Sequence, residues 1–223
     1  MKAVMNIRKI ITEDGSDSLY APELDETYHS KHGAISESEH VFIKNGLQYL
    51  IDRHNPEKLN ILEFGFGTGL NVLLSLITND NVTITYTSLE KYPIEPATAR
   101  QLNYGNMLGH PELFRKILDC PWESWQSISD EFKLLKRKVD FIDFEPDSMY
   151  DLIYFDAFAP SKQPELWSFE MMKKCSEGLN PKGAFVTYSA KGQIRRDLQN
   201  LGLTVERLPG PPGKFEMLRA TKI

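Results

Sequence analysis

A glycine-rich turn is the first segment of the chain with the residue types of a binding site. The sequence Glu-Phe-Gly-Phe-Gly-Thr-Gly at 63–69 comes directly after the apolar run 59–64 and before a helical pattern of leucines. Glycines let a backbone approach a ligand closely and allow positive φ, while a helix N-terminus offers free N–H groups. Dinucleotide sites favour G-x-G-x-x-G, whereas this turn is G-x-G-x-G. It therefore predicts a site for a nucleotide or nucleoside cofactor, with a turn needed only for packing as the alternative. The candidate cofactor residues here are Glu63, Gly65, Phe66, Gly67 and Gly69.

Carboxylates follow three of the predicted strands. Glu90 ends the second strand, where its carboxylate could accept hydrogen bonds from both ribose hydroxyls of an adenosine. Asp143 ends the predicted third strand and is placed to accept an adenine amino group. Asp156 follows the buried run 152–155, at a strand end that opens into the ligand crevice of a doubly wound sheet. A carboxylate there can orient an amine and accept its proton, so Asp156 is the candidate catalytic residue. A solvated charge or a loop cap is the competing interpretation of each carboxylate.

The elements that would position these residues alternate between strand and helix. A hairpin over 7–21 and a helix that begins at Ser36, with Glu39 completing a capping box, precede the alternation. Apolar runs predict strands at 59–64, 82–89, 132–144, 151–155 and 184–188, and a closing hairpin at 203–208 and 215–221. The pattern is typical of an α/β fold with a doubly wound, mostly parallel sheet. The terminal hairpin predicts one antiparallel edge.

Composition and charge limit the remaining possibilities. The chain has 223 residues, 41% of them hydrophobic, and 26 basic against 31 acidic residues give a net charge of −5. These values exclude a disordered, collagen-like or disulfide-rich chain. No apolar run is long enough for a membrane span and no secretory signal is visible, so we expect a cytoplasmic protein without a membrane partner. Cys120 and Cys175 have no metal-site spacing, and His29 and His32 lack further ligands, so we expect no metal.

Two segments carry a resemblance to a known family. The glycine turn together with Glu90 resembles the S-adenosylmethionine site of class I methyltransferases. More narrowly, segments 62–71 and 155–167 are similar to the methyltransferase domain of the bifunctional tRNA 5-methylaminomethyl-2-thiouridine biosynthesis (MnmC) family. The similarity continues at 28–30, 187–190 and 216–218, and so covers roughly residues 5–223.

The resemblance implies a fold, a cofactor and a substrate. The fold would be a seven-stranded Rossmann-like sheet formed by residues 56–223, with residues 1–55 as a lid-like extension of hairpin and helix. S-adenosylmethionine would donate a methyl group to the aminomethyl nitrogen of 5-aminomethyl-(2-thio)uridine at the tRNA wobble position, leaving S-adenosylhomocysteine. Because 223 residues leave no room for the family's flavin-dependent oxidase domain, we expect a stand-alone form without FAD. A separate upstream tRNA-modifying enzyme would then supply the substrate and is a candidate partner.

The resemblance also implies further site residues. Tyr28, Ser30 and Lys91 would contact the cofactor. Phe158 and Trp167 could stack on the uracil ring or exclude water, with core packing as the alternative, and Tyr188 and Ser189 could line the same pocket. The remaining residues predicted to bind the substrate, several of them by contacting anticodon-loop phosphates, are Pro160, Lys162, Arg195, Arg196, Lys214 and Glu216. Phe215 departs from the family, in which a basic residue is common at that position; the loss of charge weakens the RNA hypothesis, although the ring could stack instead.

Other functions remain open at this stage. A small-molecule amine methyltransferase or an aminopropyl transferase would use the same turn and strand-end carboxylate. A nicotinamide-dependent oxidoreductase is disfavoured by the glycine spacing and by the lack of a recognisable hydride-transfer pair. A cofactor-binding module without catalysis would keep the turn but would not need Asp156.

Overall fold

The computed structural model describes residues 7–78 and 81–223 of the chain. Residues 1–6, the start of the predicted N-terminal extension, lie outside the described range. The strands are β1 (Arg8–Ile11), β2 (Asp17–Ala21), β3 (Glu26–Thr27), β4 (Lys58–Phe64), β5 (Thr83–Leu89), β6 (Gln126–Ser129), β7 (Phe132–Arg137), β8 (Tyr150–Phe155), β9 (Leu179–Thr187), β10 (Leu203–Pro209) and β11 (Glu216–Lys222). The α-helices are α1 (Ala34–Ser38), α2 (Tyr49–His54), α3 (Leu70–Ile77), α4 (Pro96–Ala99), α5 (Tyr104–Met107), α6 (Pro111–Asp119), α7 (Phe169–Glu177) and α8 (Gly192–Asn200). A π-helical segment (Glu39–Gln48) joins α1 to α2, and a 3₁₀ turn (Pro164–Trp167) precedes α7.

The large sheet confirms the predicted fold class. Its strand order is β10-β11-β9-β8-β4-β5-β7-β6. The five inner strands from β9 to β7 pair in parallel, whereas β11 runs antiparallel to both β9 and β10. The expected antiparallel edge is therefore present. The sheet has eight strands instead of the expected seven, because the short strand β6 adds to the other edge, antiparallel to β7.

The third predicted strand is shorter than expected, and this moves a candidate residue. Strand β7 ends at Arg137, and the chain then turns: the Asp140 side chain accepts a hydrogen bond from the Ile142 N–H (3.2 Å), and its carbonyl accepts one from the Asp143 N–H (3.0 Å). The apolar residues at 139–144 belong to this turn instead of continuing the strand. The prediction of a strand over 132–144 was wrong at its carboxyl end.

The central strands β4 and β8 carry apolar side chains on both of their faces, because both faces of the sheet are covered. Ile61 of β4 packs in one buried cluster with Leu152 and Tyr154 of β8. Leu62 and Phe64, with Ile153 and Phe155, pack in a second cluster on the opposite face. Side chains alternate between the two faces of a strand, and full burial of each large apolar side chain contributes about 1.5–3 kcal/mol. The carboxyl ends of these strands are consequently held in fixed relation to one another.

The N-terminal segment packs on this core. Strands β1, β2 and β3 form a separate antiparallel sheet. The π-helical segment lies close against the large sheet, where a Cβ on Gly46 would lie only 3.1 Å from the Val186 side chain. Leu19 and Leu47 are buried in the same cluster as Ile61. Among the helices in the described part of the chain, none has the length and apolarity needed to cross a membrane.

The start of helix α1 differs from the predicted capping box. The helix begins at Ala34, so Ser36 lies inside its first turn instead of at its N-cap. The Ser36 N–H (3.0 Å) and hydroxyl (2.8 Å) both donate to Asp14 Oδ2 of the β1–β2 turn. Burial would raise the pKa of Asp14, but hydrogen bonds from Ser16 and Ser36 outweigh it and hold that pKa well below its usual value. A distant carboxylate therefore caps this helix, which local spacing could not reveal.

Candidate active site at the carboxyl ends of the parallel strands

A cavity of about 660 Å³ opens where the parallel strands end. This volume is in the range of small-molecule and cofactor sites. Its walls are the glycine turn after β4, the segments that follow β5, β7 and β8, and the N-terminal segment before α1. The predicted site residues that line it are Tyr28, Ser30, Gly65, Phe66, Gly67, Glu90, Lys91, Asp156, Phe158, Tyr188 and Lys214.

The glycine turn has a backbone that requires glycine. Gly65 has φ +104°, and a Cβ on it would lie 2.6 Å from the Asp156 carbonyl oxygen. The N–H groups of Gly65 and Phe66 donate to the Leu89 carbonyl at 3.0 and 2.9 Å. Gly69, with φ +78°, precedes helix α3. The turn thus ties the ends of three parallel strands together, β4 to both β5 and β8.

Glu90 lies at the centre of one wall of the cavity. Its carboxylate accepts the Gly67 N–H at 3.1 Å and the Tyr92 N–H at 2.8 Å. Burial raises the pKa of Glu90, and these backbone donors act in the opposite direction. A carboxylate held by two backbone donors has a fixed orientation, and its remaining lone pairs are available to hydroxyl donors of a ligand.

The carboxylate after β7 that lines the cavity is Asp140, not Asp143. Asp143 is exposed outside the cavity because β7 ends early and the chain turns. Asp140 forms an ion pair with Lys91 from the segment after β5. The two aspartates lie close together in an acidic stretch, and sequence patterning could not distinguish them without knowing where the strand ends.

Asp156 is partly buried directly after β8. Its Oδ2 accepts a hydrogen bond from Asn71 Nδ2 of helix α3 at 3.0 Å. Burial, and to a lesser extent the charge of Glu37, raises the pKa of Asp156 to about 7, whereas Asn71 and Lys214 act in the opposite direction. The side chain can therefore change its protonation state near neutral pH, which suits a group that exchanges a proton with a ligand.

Glu63 lies beneath the cavity and does not line it. Its side chain is fully buried, and Ser88 Oγ donates to its Oε2 at 2.5 Å. Burial, with a contribution from the nearby Asp156, raises the pKa of Glu63 to about 8, so the carboxyl group keeps its proton at pH 7. The first residue of the glycine motif is thus a neutral, buried support instead of a charged ligand contact.

The N-terminal segment forms the wall opposite the strand ends. The Tyr28 ring packs edge-on against Phe158, with centroids 5.1 Å apart, and lies directly over Gly67. His29 Nε2 lies 2.8 Å from Thr68 Oγ1 in the glycine turn. Desolvation lowers the pKa of this buried histidine to about 4, so the ring is neutral at pH 7. These contacts fix the segment against the turn.

A largely buried ion pair joins this wall to the C-terminal hairpin. Lys214 Nζ donates to Glu37 Oε1 at 2.6 Å, and Glu37 Oε2 accepts the Ser30 N–H at 2.7 Å. Lys214 Nζ also lies 3.8 Å above the Tyr188 ring, whose hydroxyl donates to the Ala157 carbonyl at 2.8 Å. The ion pair therefore links the N-terminal segment to the C-terminal hairpin. Through Tyr188, it also contacts the segment after β8 at Ala157, the residue that follows Asp156.

Several lining residues had no signal in the sequence. Glu37 and Asn71 are on helices, where an acidic or amide residue is usually solvated, and Thr68 and His29 meet only in the folded chain. In the described residues, no group of three or more His, Cys, Asp or Glu side chains is arranged to hold a metal ion.

Other predicted residues lie outside the cavity. Trp167 is buried: its indole N–H donates to the Phe158 carbonyl at 2.8 Å, and its ring packs 4.8 Å from Phe155. It supports the loop from below, so the expectation that it stacks on a base is replaced by core packing. Arg196 bonds to Gln193 on the exposed face of α8. The others that do not line the cavity are Gly69, Pro160, Lys162, Ser189, Arg195 and Glu216.

Comparisons with known proteins agree with this geometry. A family model described as S-adenosyl-L-methionine-dependent methyltransferase matches residues 129–223. The bifunctional tRNA 5-methylaminomethyl-2-thiouridine biosynthesis protein MnmC of Pseudomonas savastanoi is 29% identical over 219 residues, which cover 90% of this chain and 33% of that protein. MnmC of Cupriavidus necator is 28% identical over 225 residues, covering 91% of this chain and 32% of that protein. The chain thus spans about one third of the length of these curated relatives.

Solved structures show the same architecture. The crystal structure of MnmC2 from Aquifex aeolicus superposes with a TM-score of 0.75 and 26% identity, covering 98% of this chain and 71% of that one. Spermidine synthase from Thermotoga maritima shares the fold alone, with a TM-score of 0.53 and 16% identity over 93% of this chain and 69% of its own. By sequence the chain is similar to the MnmC proteins, and it has the fold of the class I S-adenosyl-L-methionine-dependent methyltransferases.

Proposed function

We propose that the chain transfers a methyl group from S-adenosylmethionine to the aminomethyl nitrogen of a 5-aminomethyl-(2-thio)uridine at the tRNA wobble position. One observation carries the proposal: a partly buried carboxylate, Asp156, follows strand β8 and lines the same cavity as the glycine turn and Glu90. A cofactor cradle and a group able to manage an amine proton therefore share one enclosed space.

The cavity fits the cofactor. A side chain on Gly67 would meet the Tyr28 ring at 3.4 Å, so glycine at this position keeps space open between the turn and Tyr28. Glu90 would accept the ribose hydroxyls, and Asp140 would accept the adenine amino group in place of Asp143. When bound, S-adenosylmethionine supplies an electrophilic methyl group on a sulfonium. Tyr28, Ser30 and Lys91 would contact the bound cofactor from the walls of the cavity.

Asp156 would manage the acceptor amine. An amine attacks a methyl group only through its neutral lone pair, aligned with the bond that breaks. An ionised Asp156 can accept the ammonium proton, directly or through water, and then hold the amine N–H so that the lone pair faces the donor. The Asn71 amide keeps that carboxylate in place. Phe158 and Tyr188 would exclude water from the two groups.

The tRNA substrate is supported by the relatives. The name of the MnmC proteins describes tRNA 5-methylaminomethyl-2-thiouridine biosynthesis, and the chain matches their length only in part. A tRNA substrate is consistent with the cytoplasmic location and the anticodon-loop partner expected from the sequence. Under this proposal the 1–55 segment acts as a lid on the 56–223 domain, catalysis needs neither FAD nor a metal, and another enzyme supplies the aminomethyl group.

The direct test is to incubate the full chain with radiolabelled S-adenosylmethionine and hypomodified tRNA and then digest the tRNA to nucleosides. We expect label in 5-methylaminomethyl-2-thiouridine. Label in a different nucleoside, or methylation of free small amines but not of tRNA, would overturn the proposed substrate. Titration with NAD in parallel tests for the oxidoreductase alternative, and we expect no binding.

A further inference from the structure

Phe215 is an aromatic side chain that is fully exposed to solvent. Its relative exposure is 100%, the highest among the large hydrophobic residues that the structure describes. An exposed apolar residue is ordinary on a protein surface, so exposure alone carries no argument. What separates this ring from the others is the rigid loop that holds it and the neighbour it has in the site.

The loop between β10 and β11 is built to keep one shape. Pro209, Pro211 and Pro212 restrict its backbone, and the Gly210 N–H donates to the Phe215 carbonyl at 3.0 Å. A Cβ on Gly210 would lie 2.5 Å from the Lys214 carbonyl oxygen, so the turn closes tightly on itself.

The same loop is pressed against the wall of the cavity. Gly213 has φ +81°, and a Cβ there would lie 1.9 Å from the His32 ring. On the opposite side, His40 Nε2 lies 2.7 Å from the Pro209 carbonyl. The backbone of the loop is consequently held at two points, Pro209 and Gly213.

The adjacent residues Lys214 and Phe215 have different environments, the cavity and the solvent. The Lys214 side chain enters the cavity, where it meets Glu37 and Tyr188, while Phe215 is turned to solvent. Consecutive Cα atoms are about 3.8 Å apart, so the exposed ring stands at the rim, one step from a residue of the site.

We infer that Phe215 is a stacking platform for a base next to the nucleotide whose amine enters the cavity; this inference rests on the proposed tRNA substrate. Sequence-specific proteins recognise RNA mostly in single-stranded loops, whose unstacked bases stack on aromatic side chains. A platform already fixed in space loses little conformational entropy when a base covers it.

The surroundings favour a base over a protein partner. Phe215 is flanked by the charged residues Lys214 and Glu216, and Glu216 pairs with Arg207 at 3.3 Å. A single ring among charges offers the flat face that a base needs. A protein interface needs a contiguous patch of several hundred square ångströms, which one isolated ring does not provide.

The experiment compares the full chain with four variants at position 215, all in complex with S-adenosylhomocysteine. Binding is measured with an anticodon stem–loop RNA that carries 2-aminopurine on one or the other side of the wobble nucleotide. For the wild type we expect fluorescence quenching at one of these positions. For Phe215→Ala we expect that quenching to disappear and the Kd for RNA to rise about 5- to 150-fold, the range of one stacked base.

The other variants separate stacking from simple apolar contact and from charge. Phe215→Trp is expected to bind as tightly as the wild type, and Phe215→Leu as weakly as the Ala variant. Phe215→Arg is expected to regain affinity with a steeper salt dependence, by about 0.7 in the slope of log K against log salt. The affinity for S-adenosylhomocysteine, measured by calorimetry, should be the same in the wild type and every variant.

Different results would contradict the stacking role of Phe215 and the proposed methyl transfer. Equal RNA binding and equal quenching for the wild type and the Ala variant would overturn the stacking role while leaving the proposed methyl transfer intact. Wild-type RNA affinity in the Leu variant would overturn it in favour of a simple apolar contact with the RNA. Self-association of the wild type that the Ala variant loses would overturn it in favour of a protein contact. Absence of methyl transfer to tRNA by the wild type would instead overturn the proposed function.

Discussion

At the scale of single residues, the site depends on carboxylates whose proton affinities differ because their environments differ. Glu63 is fully buried and Asp156 partly buried, with pKa values raised to about 8 and about 7, whereas Asp14 is held ionised by hydrogen bonds from Ser16 and Ser36. Desolvation disfavours the charged form, and each donor hydrogen bond favours it. Of these three, only Asp156 combines a pKa near neutrality with access to the cavity.

We predict that Asp156→Asn lowers kcat by about 10²- to 10⁴-fold, because the amide cannot accept the amine proton. In the wild type, kcat/KM should rise with pH as Asp156 ionises, with a midpoint near pH 7, and level off above it. The variant should lack this limb. Steady-state kinetics between about pH 5 and 9 with tRNA as substrate make the measurement. A variant with wild-type turnover would exclude Asp156 from proton transfer.

The same substitution has a stability readout. Because the folded-state pKa of Asp156 lies above the unfolded value near 4, folding becomes less favourable as pH rises from about 4 through 7. We expect Asp156→Asn to remove this loss, so that the variant is more stable than the wild type at about pH 8 but not at about pH 4. Urea unfolding at both pH values checks this. Equal stability differences at the two pH values would contradict the assigned burial of the carboxylate.

Glu90 makes a separate prediction at this scale. Glu90→Ala removes hydrogen bonds of a charged acceptor, which contribute about 1.5–3 kcal/mol, so the Kd for S-adenosylmethionine should rise about 10- to 150-fold. Titration calorimetry measures this directly. Glu95→Ala, at an exposed position a few residues later, is the matched control and should bind like the wild type. A similar Kd for all three proteins would argue against a ribose contact.

At the scale of elements, the cavity is complete only because both ends of the chain contribute to it. The N-terminal segment supplies Tyr28 and Glu37, and the C-terminal hairpin supplies Lys214. Glu37 has a side chain that is only 8% exposed, against 33% for Lys214. Removing the lysine therefore leaves a buried carboxylate without its cation. This costs more stability than removing Glu37, which would leave a partly exposed lysine.

We predict that Lys214→Met destabilises the fold by about 1–3 kcal/mol, less than a fully buried pair because the lysine is partly exposed. The double variant Lys214→Met/Glu37→Gln should recover part of this loss, because no unpaired charge remains. Thermal unfolding of the wild type, both single variants and the double variant gives the coupling energy. Strict additivity would mean that the two side chains do not interact in solution.

At the scale of the whole molecule, a ligand in the cavity should tie the N-terminal segment to the sheet. S-adenosylhomocysteine at about 100 times its Kd is expected to raise the free energy of unfolding by about 2.7 kcal/mol. It should also slow tryptic cleavage after Lys31, which lines the cavity, more than cleavage after the distant exposed Arg115. Equal protection at both sites would show global stabilisation without closure of the segment.

The sequence by itself determined the class of the fold and the core of the site. The apolar strands separated by helices required a parallel sheet covered on both faces, and the glycine turn and Asp156 lie at strand ends because the chain is locally apolar up to those residues. Burial and backbone conformation of this kind are properties of short segments, and residue types alone reveal them.

Only the tertiary structure decided which of the remaining candidates meet. It selected Asp140 over Asp143 because β7 ends early, placed Trp167 in the core because its indole N–H has a carbonyl partner there, and brought Glu37 and Asn71 to Asp156. It also capped helix α1 with Asp14, which lies in the turn between strands β1 and β2. Each of these contacts depends on how separate segments of the chain pack together, and the free energy that selects them comes from packing that no local pattern encodes.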